Sequence, residues 1–212
     1  MMSVIEAFAT LFTISMFVSG LSVVKRIKAS PTVSLISPFP AFATIINCMA
    51  WCKYALITED VLMIVVNAVG VAISIYLVYC HYSYTDRKAQ IEKMAFSAAL
   101  ILTALLVYVN YLAGENALAH LGVACCVACV VMFSSPLVSI RTVIATRSTY
   151  CLSFPLSITS LFTSTLWAWY GYTINDMFVF APNFAGAVLA MVQVSMFALY
   201  KGTSVESSDI PL

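Results

Sequence analysis

Charge is the scarcest resource in this chain. Only 9% of its 212 residues are Asp, Glu, Lys or Arg, against about 25% in an ordinary soluble domain. A soluble fold is excluded on that ground, and 62% hydrophobic residues point to a chain whose solvent is mostly lipid. Histidine is nearly absent too, with two residues far apart in sequence, His81 and His120. Both are expected at the membrane interface rather than in a proton relay. They also exclude a membrane hydrolase built on clustered His, Asp or Ser. No N-x-[ST] sequon occurs. No basic start or small-residue cleavage site precedes the first apolar stretch, so that stretch is expected to be retained as a span rather than removed. Metal and cofactor sites are not expected. "CCVAC" (Cys125, Cys126, Cys129) looks like a ligand motif out of context, but small residues in a span more often pack helix on helix. With a formal net charge of +1, no nucleic-acid partner is expected.

What is present is apolar sequence in span-length runs. They centre near residues 14, 46, 72, 104, 130, 162 and 188, and a span needs roughly 20 apolar residues. Seven spans with short links consume most of the chain and leave a polar tail over 201–212. Positive charge orients them. Lys25, Arg26 and Lys28 follow the first span, Arg87, Lys88 and Lys93 the third, Arg141 and Arg147 the fifth, and Lys201 the seventh. The opposite links carry Glu59, Asp60, Glu115 and Asp176. Lys53 is the one basic residue on that side, where it can snorkel. The amino terminus is therefore expected outside or lumenal, and the tail cytosolic.

The chain also repeats itself at an offset of 116 positions. Met16 meets Met132, Trp51 meets Trp167, Tyr54 meets Tyr170, Asp60 meets Asp176, Asn67 meets Asn183 and Gly70 meets Gly186. Trp, Asn and Asp are rare here, so coincidence is a poor explanation. Basic loops recur at equivalent places, so both copies share one orientation. Three spans invert the chain, and an extra span must separate the copies. The expected architecture is an all-α membrane protein of seven helices, with two parallel three-helix repeats (4–84 and 119–200) joined by a linker helix (94–113), a 3+1+3 plan.

Asn67 and Asn183 begin about two helical turns beyond the acidic residues Asp60 and Asp176. At ~1.5 Å per residue that depth is about 10 Å, close to the midplane of a ~30 Å core. Trp51 and Trp167 reach a similar depth on the preceding spans. A lone intramembrane Asn most often hydrogen-bonds a neighbouring helix, and a lone Trp usually anchors an interface. Their paired recurrence favours a central cavity instead. Carboxamides donate and accept hydrogen bonds, and indoles offer flat apolar faces. A sugar needs both.

The stretches "PAFATIINCMAW..Y" and "VVNAVG" in the first copy, with "SSPLVSIRTVIATRST", "LSFPLSITSLFTSTLWAWYG", "ND" and "APNFAG" in the second, resemble the SWEET (MtN3/saliva) sugar transporters, in their animal branch, over about residues 8–200. The resemblance implies a sugar uniporter working by alternating access, embedded in the plasma membrane or Golgi and forming homo-oligomers. It implies sugar contacts from Asn67, Asn183, Trp51 and Trp167, and selectivity from Met16 and Met132. It implies an outer gate of Tyr54 and Asp176, with Tyr170 as the repeat counterpart of Tyr54. Of the family's hinge prolines, Pro40 and Pro136 align. Gly20 stands at the first-span position, and Ser153 at the sixth, with Pro155 two residues on. Almost no ionisable residue lies inside the spans, which points to passive transport. Bulky Met and Trp walls point to a monosaccharide. A seven-helix receptor predicts no internal repeat. A PQ-loop carrier of amino acids would carry a Pro-Gln dipeptide, whereas Pro136 precedes Leu137.

Overall fold

In the computed structural model, residues 4–29 and 37–200 are described. Every regular element among them is helical. The order is α1 (Val4–Gly20), α2 (Ser22–Ala29), α3 (Phe39–Ile57), α4 (Val61–Tyr84), α5 (Lys88–Val107), α6 (Ala117–Met132), α7 (Ser134–Thr146), α8 (Phe154–Thr173) and α9 (Met177–Leu199). One π-helical turn, Tyr108–Leu112, and a 3₁₀ turn, Gly114–Asn116, connect α5 to α6.

The chain is a helical membrane protein of the seven-span, 3+1+3 class. Six of the spans are long and apolar enough to cross a bilayer by those criteria alone. α1 runs into α2 within the first, and α6 into α7 within the fifth. The sixth span, α8, has the length, 20 residues, but seven Ser and Thr dilute its apolarity. Several of these hydroxyls return to their own helix: Thr159 donates to the Pro155 carbonyl at 2.8 Å and Thr165 to Leu161 at 2.7 Å. Such local bonds let a hydroxyl-rich helix sit in hydrocarbon.

Two compact units divide the chain. One comprises the described residues of Thr13–Met132, the other those of Met1–Phe12 and Phe133–Leu212. In the first unit α3 packs on α4, α5 and α6, and α2 packs on α4. Ile27 and Val24 of α2 bury against Cys80 of α4. Phe42 of α3 meets Ile91 and Ala98 of α5. In the second unit α9 packs on α7 and α8, and Phe12 stacks on Phe162 with ring centres 5.9 Å apart.

The turns that join α3 to α4 and α8 to α9 have the same construction. Glu59 and Asn175 both adopt left-handed backbone, each at φ 57°. The next amide, Asp60 N–H or Asp176 N–H, closes back onto the carbonyl of Ala55 (2.9 Å) or Gly171 (2.8 Å). That six-residue closure satisfies carbonyls orphaned at a helix end. The aspartate then caps the next helix. Asp60 Oδ1 accepts from Met63 N–H at 2.9 Å, and Asp176 Oδ1 from Phe178 and Val179 N–H at 2.9 and 3.2 Å. Both carboxylates thus sit at a positive helix terminus.

The first and fifth spans are each broken once. Pro136 has no N–H to offer the Met132 carbonyl, and α6 ends at Met132. In the first span α1 ends at Gly20, and Leu21 alone separates it from α2.

Candidate functional site

Each unit carries one copy of the same constellation. In the Thr13–Met132 unit, Trp51 and Tyr54 lie three residues apart on one face of α3. Their rings meet edge to face, 5.5 Å between centres and 72° between planes. In the other unit Trp167 and Tyr170 of α8 repeat this at 5.5 Å and 87°. All four rings are buried, between 2% and 8% exposed. Edge-to-face packing fixes the indole orientation, with the tyrosine edge against the tryptophan face or the reverse.

The asparagines repeat as closely. Asn67 Nδ2 donates to the Met63 carbonyl at 2.8 Å, and Asn183 Nδ2 to Val179 at 2.8 Å. The carbonyl acceptor identifies the nitrogen, so each carboxamide orientation is set. Each bond uses one of four hydrogen-bonding capacities. Among the described residues, the second N–H and the carbonyl oxygen take no hydrogen bond. Neither carboxamide bonds another helix among the described residues of its own unit. Both residues are half-buried. A side chain held by its own helix, with a donor and an acceptor uncommitted, is suited to a polyhydroxyl ligand.

Behind each asparagine a glycine brings the helices together. A Cβ on Gly70 would lie 2.6 Å from Phe17 and 2.8 Å from the Cys48 sulfur; on Gly186 it would lie 3.0 Å from the Ser164 hydroxyl and 3.4 Å from Phe133. Phe17 and Phe133, like Cys48 and Ser164, are 116 positions apart. The same three-helix contact is therefore built twice.

The remaining expected site residues fall as follows. Met16 is half-buried on α1, and Met132 ends α6, 36% exposed. Gly20 is the last residue of α1. Pro40 and Pro155 occupy the first turns of α3 and α8. There the missing N–H breaks no intrahelical bond, so these prolines start helices rather than kink them. Pro136 lies in the first turn of α7. Tyr54 is 2% exposed and Asp176 half-buried, its carboxylate engaged as a cap. Trp51, Tyr54, Asn67, Met16, Gly20, Pro40 and Met132 belong to one unit, and Trp167, Tyr170, Asn183, Asp176, Pro136 and Pro155 to the other.

Three residues escaped the sequence reasoning. Thr163, one turn before Trp167, has a buried hydroxyl with no hydrogen-bond partner among the described residues. Its counterpart at the repeat offset is Asn47, whose Oδ1 receives the Cys129 thiol at 3.5 Å. A polar pair at equivalent depth was visible in the repeat. Pro182, inside α9 and next to Asn183, removes the N–H that would serve the Phe178 carbonyl. His81 is buried against its own unit. It lies in the last turn of α4, near the span end, but is only 3% exposed because that end of α4 packs beside α2. His120 does lie exposed, its Nδ1 2.9 Å from the Tyr108 hydroxyl.

Comparison with known proteins identifies the family. A family model described as a sugar efflux transporter for intercellular exchange matches residues 3–89 and again 119–204. The human sugar transporter SWEET1 is 32% identical over 203 residues, covering 93% of this chain and 90% of that protein. Its zebrafish (Danio rerio) counterpart is 30% identical over 189 residues, with 88% and 86% covered. The solved structure of a eukaryotic SWEET transporter superposes with a TM-score of 0.84 at 23% identity, over 92% of this chain and 94% of that one. With the family model matching two stretches that together cover most of its length, the chain belongs to the SWEET (MtN3/saliva) family of sugar transporters, which are carriers rather than enzymes.

Proposed function

We propose that this chain is a bidirectional, passive uniporter of a glucose-like hexose, working by alternating access around a central site. One observation carries the reading. Each copy presents a half-buried asparagine, tied to its own helix and retaining a donor and an acceptor, with a buried and orientationally locked tryptophan on the helix before it. Hydroxyls pair with the carboxamides, and a sugar C–H face stacks on indole. Met16 and Met132 narrow the cavity toward a monosaccharide. Tyr54, Tyr170 and Asp176 close it on the outer side; Gly20, Pro40, Pro136 and Pro155 serve the inner side. The repeats span 4–84 and 119–200 with 94–113 as linker, a division supported by the two separately matched stretches. The basic links place the amino terminus outside or lumenal and residues 201–212 in the cytosol of a plasma-membrane or Golgi carrier, and a homo-oligomer is the expected assembly.

The test is equilibration of labelled glucose in proteoliposomes. Glucose is expected to enter to equal concentration, with sucrose and a neutral amino acid excluded. Asn183→Ala is expected to abolish entry while the protein remains folded. Entry of the amino acid instead of glucose would overturn the substrate class. His81, buried in α4, favours proton linkage as the rival mechanism. Glucose accumulated above equilibrium by an imposed proton gradient would establish that rival and sink the passive reading.

A further inference from the structure

A second concavity lies away from the asparagines, within the Thr13–Met132 unit. It is a groove of about 690 Å³ floored by α3 and walled by α5 and α6. Its lining is apolar along nearly its whole length, including Phe42 and Ile46 of α3, Ile101 and Leu105 of α5, and Val127 of α6. Polar side chains occur only at one end, where Lys93 and Ser97 line it. Such a lining is the opposite of what a sugar requires.

From Lys93 to Leu105 the groove follows twelve residues of α5, about 18 Å of helix. That is close to one leaflet of a ~30 Å hydrocarbon core. Lys93 therefore stands at the headgroup end, and Leu105 near the midplane. Its charge is not spent locally. Neighbouring Glu92 accepts the Tyr82 hydroxyl at 2.9 Å, and the Lys88 ammonium stands over the Tyr82 ring at 5.3 Å. Among the described residues Lys93 has no acidic partner. A single cation at the mouth of an apolar trough one leaflet deep matches a phospholipid in shape and in charge: acyl chain along the trough, phosphate on the ammonium. By the orientation proposed above this is the cytosolic leaflet, where anionic lipids concentrate.

We propose that the α3–α5–α6 groove binds one anionic phospholipid, with Lys93 holding its phosphate and Ile46, Ile101, Leu105 and Val127 its acyl chain. The site is independent of the sugar pathway, so its failure would leave the transport reading untouched.

Native mass spectrometry of the detergent-purified full chain tests it, with dioleoyl phosphatidic acid against dioleoyl phosphatidylcholine. Phosphatidic acid is expected to be retained about fivefold more strongly, the worth of one near-surface charge contact. Lys93→Gln should bring it to the phosphatidylcholine level. Lys53→Gln, a control on another part of the chain, should leave it unchanged. Ile101→Trp, an exposed substitution that fills the trough, should reduce retention of both lipids. Equal retention of the two lipids, or undiminished phosphatidic acid on Lys93→Gln, would overturn the proposal. So would an oligomer mass dispersed by Ile101→Trp without change in lipid retention, which would assign the groove to a second copy of the chain.

Discussion

Gly171 is where the structure can be tested most sharply by one methyl group. A Cβ at this position of α8 would lie 2.5 Å from the backbone nitrogen of Phe180, 2.9 Å from its Cα and 3.0 Å from the Val179 carbonyl carbon. All three neighbours are α9 backbone and cannot rotate away. Ordinary contact begins at 3.4 Å, so Gly171→Ala must drive α8 and α9 apart by about 0.9 Å at this level. A gap of that size forfeits roughly a quarter to a half of each contacting pair's dispersion well, and overpacking of this kind costs about 1–3 kcal/mol. Alanine returns about 1 kcal/mol of helix propensity. The net expectation is a loss of about 1 kcal/mol, or ~3 °C in Tm for a chain of this length. Gly20→Ala is the control, because nothing lies within 4 Å of its Cβ; its Tm should hold or rise. Thermal unfolding in detergent followed by size-exclusion fluorescence reads both. Because Asp176 and Asn183 flank the contact on α9, Gly171→Ala should also slow glucose exchange. A Gly171→Ala protein as stable as the parent would refute the close approach of α8 and α9.

Three further outcomes are expected. Asp60→Ala should cost about 1 kcal/mol through loss of the α4 cap, whereas Asp176→Asn should keep the α9 cap and Tm; a changed transport rate in that second variant isolates the gating role, and an unchanged one removes it. Glu59→Gly should stabilise the α3–α4 turn by about 0.5–1 kcal/mol, since only glycine is at ease at φ 57°, while Asn175→Gly should gain less because asparagine tolerates that region; equal Tm values for Glu59→Gly and the parent would contradict the turn. Cys151 lies in the α7–α8 link with its sulfur 3.7 Å from the Ser139 carbonyl, and shielding by neighbouring atoms pushes the thiol above its ordinary value even though the side chain is open at the surface. A raised pKa leaves less thiolate at neutral pH, so maleimide labelling should be slow there and accelerate as pH rises; in intact cells it should require permeabilisation, and labelling by an impermeant reagent from outside would reverse the proposed orientation.

Much of this architecture was legible because a bilayer leaves the sequence few options. Backbone groups in hydrocarbon must be satisfied within helices, so span-length apolar runs identify elements directly. The recurrence of Trp, Tyr, Asp, Asn and Gly at one offset marked both copies of the candidate constellation, and the glycine contacts at Gly70 and Gly186 reproduce that offset in three dimensions. Other features were illegible for physical reasons. An aspartate before an apolar run reads equally as a gate or a cap, and only the 2.9 Å bonds to Met63 and Phe178 reveal that both are caps. A proline pattern does not say whether it falls inside a helix or in its first turn, where Pro40 and Pro155 are found.

The sequence by itself determined the medium, the helical class, the repeat and the candidate sugar-binding residues it repeats, because these depend on composition and on period along one chain. Tertiary packing alone decided that each asparagine bonds its own helix, that His81 is buried, that the Thr163 hydroxyl has no partner among the described residues, and that α3, α5 and α6 leave a trough ending at Lys93. Those outcomes depend on which helix faces meet and how closely. Distances between residues far apart in sequence set them, and no local pattern encodes such distances.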